Sequence, residues 1–254
     1  MHQPTVRVLE VLQSVLQNSG SRQLSDFSRE LNIPKSTLHP ILQTLCENRY
    51  LYQDELGRYR AGTALFSMGA AFSGCFPLLD YAGQELEQLV ETFRETCFLG
   101  TLVQGDVLYL CKRDSPHSLR FLTETGRRLP AYATGLGKAL LLDHTPQQLQ
   151  ALYPHGLKPL TGSTVPDLAA LHQQLAQARI LGCTREQEES TENVRCFGVP
   201  IRKFGKITAA VSMAIPLFRY EEEKKDAIIQ ALCTCAAKIG ATMEATDAHF
   251  GELF

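Results

Sequence analysis

The strongest constraint on the fold comes from residues 24–52, where two runs of apolar residues at helical spacing flank a turn signal. The first run comprises Leu24, Phe27, Leu31 and Ile33, and the second comprises Leu38, Ile41, Leu42 and Leu45. Between the runs, Asn32 supplies a turn or N-cap residue, and Pro34 is acceptable in the first turn of a new helix. The pattern predicts a short helix, a tight turn and a second helix that begins near Ile33.

The second of these helices has a polar outer face. The positions that point away from its apolar side are Lys35, Ser36, Thr37, His39 and Gln43. Short or amide-bearing side chains near a helix N-terminus suit contacts with phosphates and base edges, so we predict that these residues bind DNA. Pro40 lies inside the same helix and removes the hydrogen bond to the Ser36 carbonyl. We expect either a bend at Pro40 or a shorter helix.

A small hairpin follows the second helix. Its strands are Tyr50 to Tyr52 and Arg58 to Arg60, and the turn between them contains Asp54, Glu55 and Gly57. With an amphipathic helix over residues 5–17, which closes at 18–21, these elements predict a winged helix-turn-helix domain over residues 1–62. We expect Arg58 and Arg60 to contact backbone phosphate. On pattern alone, the alternative is a small helical bundle that binds protein.

Residues 63–79 carry no charged side chain. The stretch is short for a membrane span, and its glycine, serine and proline residues dilute its hydrophobicity further. We therefore expect a linker helix that is buried against its copy in a dimer, and no membrane partner. Such a dimer would place two recognition helices on a palindromic DNA site.

Residues 80–254 have the pattern of a mixed helix and sheet domain, so the fold class is α+β. Strands are predicted over residues 98–103, 107–110, 119–122, 194–201 and 207–215, with turns at Gly105-Asp106 and at residues 203–205. Helices are predicted up to about residue 95 and over residues 137–143, 146–153, about 168–178 and 220–245. An antiparallel sheet covered by helices is a common way to build a small-molecule pocket.

Composition narrows the function classes. The formal net charge is −2, and residues 1–62 hold seven Lys/Arg against six Asp/Glu, a local balance of +1, so DNA binding must depend on where charges are placed. The chain begins without a basic region followed by an apolar run, so we expect the reducing cytoplasm. None of the eight cysteines forms a CxxC pair, and Cys233 and Cys235 point in different directions on a predicted helix. We predict no metal and no cofactor.

The stretch GRRLPAYATGLGKALLL, residues 126–142, invites comparison with a phosphate-binding loop. The comparison fails because Tyr132 stands where the first glycine is needed, and Ala139 replaces the Ser or Thr that holds magnesium. What remains is a glycine-rich turn that opens a helix. Such a turn can seat a carboxylate or another small anion, or the glycines can serve only a tight turn.

Three separated motifs resemble one protein family. RRLPAYATGLGKALL, residues 127–141, resembles the segment GRRLPLHATALGKALLA of the IclR family of bacterial transcriptional regulators. EQEESTENVRCFGVPI, residues 186–201, resembles the second signature of that family, DDEEYEPGVRCIAAPI. With the helix-turn-helix that contains STLHPILQTL, the resemblance covers about residues 5–245 in the right order.

The resemblance implies a DNA-binding transcriptional regulator. It implies a winged helix-turn-helix domain, a linker helix and, over residues 80–254, a GAF-like effector-binding domain. The implied partners are double-stranded operator DNA, a second copy in a homodimer or homotetramer, and a small organic acid, sugar-acid derivative or aromatic catabolite. Carried onto this chain, the effector site comprises Ala133, Thr134, Gly135, Gly137, Glu186, Cys196 and Ser212.

The chain departs from the family pattern at five positions: Pro40 stands for a usual arginine, Arg49 and Asn193 for glycines, Tyr132 for a histidine and Glu186 for an aspartate. Pro40 and Arg49 bear on the operator sequence, and the other three positions bear on the ligand. Effector identity therefore does not transfer from a relative. We expect the effector to shift the spacing of the paired DNA-binding domains through the linker helix.

Two other functions use the cysteines. In the first, oxidation of Cys46, near the end of the recognition helix, or of Cys196 changes DNA affinity. In the second, Cys196 is the nucleophile of an enzyme and Glu186 assists it, but neither signature contains a histidine to serve as base. We predict a protein that is not an enzyme.

Overall fold

The computed structural model describes residues 2–17, 22–74, 77–118, 123–248 and 250. The chain forms two compact units, Met1–Phe76 and Pro77–Phe254. Each unit has its own hydrophobic core.

The first unit contains helices α1 (Gln3–Gln17), α2 (Leu24–Leu31) and α3 (Lys35–Glu47), strands β1 (Leu51–Gln53) and β2 (Tyr59–Ala61), and helix α4 (Thr63–Gly74). Its core is formed by the apolar faces of the first three helices and by Leu51 and Tyr59 of the two strands. The spacing of apolar residues therefore placed α2, α3 and the hairpin correctly. The predicted closure of α1 at 18–21 lies outside the described residues.

The turn between α2 and α3 differs from the prediction. Asn32 adopts the left-handed conformation, with φ of 52°, and ends α2 instead of capping the next helix. Pro34 precedes α3 and does not lie in its first turn, because its carbonyl accepts hydrogen bonds from the N–H groups of Thr37 and Leu38. Helix α3 therefore begins at Lys35, two residues later than predicted.

Helix α3 continues through Pro40, so the alternative of a shorter helix is wrong. The proline ring removes one hydrogen bond to the preceding turn. Its carbonyl accepts a second bond, from the Thr44 hydroxyl at 2.8 Å. Tertiary packing holds the helix together at this point, since Leu38 and Leu42 on either side of the proline are fully buried.

The hairpin pairs Leu51 with Ala61 and Gln53 with Tyr59 in antiparallel register. Arg22 adds an isolated bridge to Tyr59, which fastens the start of α2 to the hairpin. Arg49, where the family has glycine, adopts φ of 60° before β1. A left-handed residue is needed at this position, which explains the usual glycine and makes the arginine a strained replacement.

The second unit contains helix α5 (Pro77–Phe93), strands β3 (Thr96–Val103), β4 (Asp106–Arg113) and β5 (Arg128–Pro130), helices α6 (Gly135–Leu140), α7 (Pro146–Leu152) and α8 (Leu168–Leu181), strands β6 (Thr184–Gln187), β7 (Val194–Lys203) and β8 (Lys206–Pro216), and helix α9 (Lys225–Thr246). The strands form an antiparallel sheet in the order β5-β4-β3-β8-β7-β6. One face packs against α5 and α9, and the other against α6, α7 and α8. The α+β fold class is confirmed.

Most predicted elements of this unit are present, with four differences. Helix α6 runs from Gly135 to Leu140 and not from residue 137 to 143, because the Thr134 hydroxyl caps it two residues earlier. The β3–β4 turn is at Gln104 and Gly105, both with positive φ, and Asp106 already belongs to β4. Helix α9 begins at Lys225 and not at residue 220, because Tyr220 and Glu221 have extended backbone. The edge strands β5 and β6 were not predicted, since short, polar strands carry no apolar alternation. The strand predicted over residues 119–122 lies outside the described residues.

Candidate functional site

Helix α3 presents a polar face next to a well-packed one. Leu38, Leu42 and Leu45 are buried in the core of the first unit. Lys35, Ser36, His39 and Gln43 are exposed, and Thr37 is half-buried. The amide nitrogen of Gln43 donates to Glu47 at 3.0 Å. The outward face of α3 is therefore polar and exposed, while its inner face packs in the core.

The two arginines of the hairpin share one partner. Arg58 and Arg60 each donate through Nε to Oδ2 of Asp54, at 3.1 and 3.2 Å. Backbone N–H groups of Leu56 and Arg58 bind the other oxygen, Oδ1. These hydrogen bonds, chiefly that from the Arg58 backbone, lower the pKa of the Asp54 carboxyl. Both arginines of the hairpin are therefore paired with one carboxylate, which stays ionised.

In the second unit, a cavity lies between the sheet and the start of α6. Four of the seven predicted effector residues line it: Thr134, Gly135, Cys196 and Ser212. Its remaining walls are formed by Phe98, Tyr109, Thr123, Leu129, Leu136, Ser190, Thr191, Val194 and Ala214. The cavity is small, about 30 Å³, which is room for one or two water molecules. It combines hydroxyl groups and a thiol with apolar and aromatic walls.

The other three predicted effector residues do not line this cavity. Ala133 and Gly137 are buried behind the cavity, in the turn before α6 and in α6 itself. Glu186 lines a second, larger cavity of about 430 Å³ beside α8. Tyr132, expected to change the size of the pocket, packs its ring edge-on against Tyr153. Its hydroxyl donates to the Lys158 carbonyl, away from the first cavity.

The glycines of the GLGK turn serve close packing. Gly135 and Gly137 do not have positive φ. A Cβ on Gly137 would lie 2.3 Å from the backbone Cα and O of Ala131, and one on Gly135 would lie 2.9 Å from Cys196 Cβ. The Gly137 N–H is already bonded to the Thr134 hydroxyl, which caps α6. Close packing against Ala131 and Cys196 thus explains why residues 137 and 135 are glycines, and no bound anion is needed to explain them.

We expect Gly137→Ala to reduce the free energy of unfolding by about 1–3 kcal/mol, because the new methyl group overpacks a backbone contact. Gly162→Ala is the matched control: nothing lies within 4 Å of a Cβ there, and its φ is not positive. Urea denaturation of both variants measures the difference. Equal stability of the two would show that the packing of Gly137 is not tight.

A buried charged cluster lies beneath α6. Lys138 is 1% exposed, and its ammonium group donates to Glu189 at 2.5 Å. Glu186, also 1% exposed, accepts the backbone N–H groups of Glu189 and Ser190. Burial lowers the pKa of Lys138 and raises that of Glu186 to about 7. One cation thus faces two carboxyl groups, and a proton on Glu186 relieves the imbalance.

The raised pKa predicts a pH-dependent stability. Between about pH 4.5 and 7 the folded protein binds the Glu186 proton more tightly than the unfolded chain does. The free energy of unfolding therefore falls as pH rises through this window, by at most about 1.4 kcal/mol per pH unit. In Glu186→Gln this contribution is absent, so the advantage of the native protein over the variant is greatest near pH 4.5 and shrinks towards pH 7.

Denaturant unfolding at half-unit steps of pH measures this advantage. Glu192→Gln, at an exposed position on the same loop, is the control, and we expect no pH-dependent difference from the native protein. A constant difference between Glu186→Gln and the native protein from pH 4.5 to 7 would contradict the assignment.

The two cysteines considered for chemistry both have thiols with a raised pKa. Burial raises the pKa of Cys46, and Glu47 adds to the effect. Burial, with Glu186 nearby, raises the pKa of Cys196 well above its ordinary value. Since the thiolate is the reactive species, neither environment favours oxidation or nucleophilic attack.

Sequence reasoning missed several residues that the structure places at these sites. Phe98 and Tyr109 line the first cavity from β3 and β4, and their spacing marked them only as strand residues. Lys138 was not among the predicted site residues. Its pairing with Glu189 joins the two signatures, which are about fifty positions apart. A signal was present, because the family's first signature also has a lysine at the position of Lys138 and its second has a glutamate at the position of Glu189.

Comparison with known proteins agrees with this architecture. Residues 75–241 match the family profile described as "Bacterial transcriptional regulator IclR C-terminal", and residues 4–55 match the "IclR helix-turn-helix domain". The chain belongs to the IclR family. It is thus a DNA-binding transcriptional regulator with an effector-binding C-terminal domain.

Curated relatives cover nearly the whole chain. The HTH-type transcriptional regulator KdgR of Escherichia coli (strain K12) is 32% identical over 252 residues, which is 96% of this chain and 94% of the relative. The HTH-type transcriptional repressor AllR of Salmonella paratyphi A is 31% identical over 221 residues, 86% of this chain and 81% of the relative. These relatives give no support for redox regulation through Cys46 or Cys196.

Solved structures share the fold. The IclR transcriptional regulator from Alicyclobacillus acidocaldarius superposes with a TM-score of 0.85 at 20% identity, covering 95% of this chain and 98% of that one. An IclR homologue from Microbacterium hydrocarbonoxydans, complexed with 4-hydroxybenzoate, gives a TM-score of 0.81 at 25% identity, with coverage of 95% and 99%.

Two features are absent from the described part of the chain. No helix there is long and apolar enough to cross a membrane. No group of three or more His, Cys, Asp or Glu side chains is placed to hold a metal ion among those same residues.

Proposed function

We propose that α3 and the β1–β2 hairpin bind operator DNA, and that a small organic acid bound in the cavity under α6 controls this binding. The exposed polar face of α3, backed by buried leucines, is the observation that carries the first half. The hydroxyl-lined cavity at the family signatures supports the second. Residues 1–62 serve as DNA-binding domain, 63–79 as linker and 80–254 as effector domain, and the last three residues of the linker begin helix α5 of the second unit.

The decisive experiment is equilibrium binding of the full-length protein to duplex DNA, across a salt series and with a panel of small acids. The DNA is first selected from a random-sequence library by the protein itself. Binding to selected DNA that survives physiological salt, and that changes with one compound, supports the proposal. Equal, weak binding to selected and random DNA at every salt concentration would refute it.

On α3, the residues that bind DNA are proposed to be Lys35, Ser36, Thr37, His39 and Gln43. Gln43 reads base edges in the major groove, while Lys35 and the hairpin arginines Arg58 and Arg60 contact phosphate. Pro40 offers no hydrogen-bond donor from its side chain, so base reading falls to its neighbours.

Arg60→Ala is expected to weaken binding by a similar factor on all duplex sequences. Loss of one phosphate contact lowers the slope of log affinity against log salt concentration by about 1. The measurement is a fluorescence anisotropy titration at four salt concentrations. Arg127→Ala, at an exposed position in the second unit, removes the same charge and is expected to leave the slope unchanged. Equal slopes for Arg60→Ala and the native protein would exclude the phosphate contact.

The effector is proposed to be a small carboxylic acid with an apolar or aromatic body. Phe98 and Tyr109 form an edge-to-face pair at 5.2 Å and provide an aromatic wall, and the hydroxyl groups of Thr134 and Ser212 provide donors. A structural relative holds 4-hydroxybenzoate, a compound of this type. Since the cavity holds only one or two waters, its walls must move when the acid binds. This movement is the source of the coupling between acid binding and DNA binding.

Ser212→Ala is expected to weaken the effect of the active acid on DNA binding at least tenfold in acid concentration, because one hydrogen bond to a charged ligand is lost. DNA binding without the acid remains as in the native protein. The panel includes 4-hydroxybenzoate, and calorimetry measures acid binding directly. Thr208→Ala, on the same strand but outside the cavity, is the control. An unchanged response in Ser212→Ala would remove Ser212 from the site.

Helix α4 is proposed to form the homodimer interface. The helix has no charged residue, yet Phe66 is 79% exposed and Met68 is 57% exposed. Apolar side chains exposed on a charge-free helix are explained by burial against a second copy. A dimer presents two copies of α3 to a palindromic operator, and coupling to the effector of about 1–3 kcal/mol changes operator affinity roughly 5- to 150-fold.

Phe66→Asp is expected to shift the protein from dimer towards monomer and to weaken operator binding, because it places a charge at the apolar contact. Sedimentation equilibrium measures the association. Phe204→Asp, at the equally exposed turn between β7 and β8, is the matched control. If both variants sediment as the native protein does, α4 is not the interface.

The same proposal makes the chain a non-catalytic protein of the cytoplasm. The raised pKa values of Cys46 and Cys196 favour structural thiols over nucleophiles. A DNA-binding regulator meets its operator in the bacterial cytoplasm, where thiols stay reduced.

A further inference from the structure

Asp54 occupies an unusual position for an acidic residue on a surface that meets DNA. It follows strand β1 and faces the return strand of the hairpin. Its carboxylate accepts four hydrogen bonds: the backbone N–H groups of Leu56 and Arg58 bind Oδ1, each at 3.0 Å, and the Nε groups of Arg58 and Arg60 bind Oδ2. The side chain of Asp54 is only 18% exposed, while those of the two arginines are 35% and 37% exposed.

The contacts leave the outer ends of both arginines available. Each guanidinium has five N–H donors, and the bond to Asp54 uses only the one on Nε. The remaining four belong to the two terminal nitrogens, which match phosphate oxygens in pairs. Arg58 and Arg60 are two positions apart, so they project from the same face of the hairpin, while Tyr59 between them is buried in the core.

A count of charges alone predicts that Asp54 weakens DNA binding. An acidic residue beside two phosphate-binding arginines lowers the local positive potential, so its removal should tighten DNA binding. The hydrogen bonds that Arg58 and Arg60 share with Asp54 predict the reverse, that Asp54 strengthens DNA binding. Without the shared acceptor, two long side chains regain rotamer freedom that must be lost again on the DNA.

We propose that Asp54 is a positioning residue that holds Arg58 and Arg60 together as one phosphate clamp. The inference rests on the proposed function, in which the hairpin contacts operator DNA. It adds to that function a residue that does not touch DNA and whose negative charge increases affinity. The hydrogen bond from the Arg58 backbone N–H, followed by the contact with Arg60, lowers the pKa of the Asp54 carboxyl, so the clamp stays assembled across the physiological pH range.

The test compares Asp54→Asn with Glu55→Gln in the full-length protein, using selected duplex DNA at four salt concentrations. Each variant removes one negative charge from the same turn, but Glu55 has an exposed side chain that does not contact either arginine. We expect Asp54→Asn to bind on the order of tenfold more weakly, the value of one charge-assisted hydrogen bond. Glu55→Gln is expected to bind as the native protein does, or slightly more tightly.

A double-mutant cycle separates positioning from folding of the hairpin. In a protein that already carries Arg58→Ala and Arg60→Ala, Asp54→Asn is expected to cause no further loss of affinity. If Asp54→Asn unfolds the first unit, as judged by circular dichroism, the cycle is repeated with Asp54→Ser, which keeps an acceptor for the backbone N–H groups. Tighter or unchanged binding of the aspartate variant, or an equal loss without the arginines, overturns the inference. Absence of native binding to selected DNA would instead overturn the proposed function.

Discussion

The close approach of α6 to strand β7 is the contact on which the second unit depends. A Cβ on Gly198 would lie 2.2 Å from the Gly135 carbonyl oxygen, so glycine is required where the two backbones meet. The Thr184 hydroxyl donates to the same carbonyl at 2.6 Å and ties in edge strand β6. Because α6 is held against the sheet in this way, its N-terminal residues form one wall of the cavity and the sheet forms another.

The close packing of α6 against strand β7 also buries charged side chains. Lys138 extends from α6 into the interior, where its ion pair with Glu189 offsets part of the cost of desolvation. The neighbouring Glu186 is bonded by two backbone N–H groups, which fix the loop that carries Ser190 and Thr191. That loop also closes one side of the first cavity. A change in cavity occupancy therefore acts on a segment restrained by buried, pH-sensitive charges.

In the first unit, packing and charge are divided between the two sides of α3. The buried leucines fix the orientation of the helix, and their contribution is large enough to carry Pro40 without ending it. The outer face carries only one cation, Lys35. The hairpin supplies two more, Arg58 and Arg60, and Asp54 keeps them in one place. A first unit with a balance of only +1 can therefore address phosphate through a few well-placed groups.

By itself, the sequence determined the elements that local interactions specify. The helices α2 and α3, the hairpins and the long helix α9 follow from apolar spacing and turn residues within a few positions of one another. Only the tertiary structure decided the edge strands β5 and β6, the packing role of Gly135 and Gly137, and the burial of Lys138. It also placed Glu186 beside Cys196 on the neighbouring strand, but at the wall of a different cavity from the one that Cys196 and Ser212 line. The physical reason is that these features depend on contacts between residues far apart in the chain, such as Gly135 with Gly198, which local periodicity does not contain.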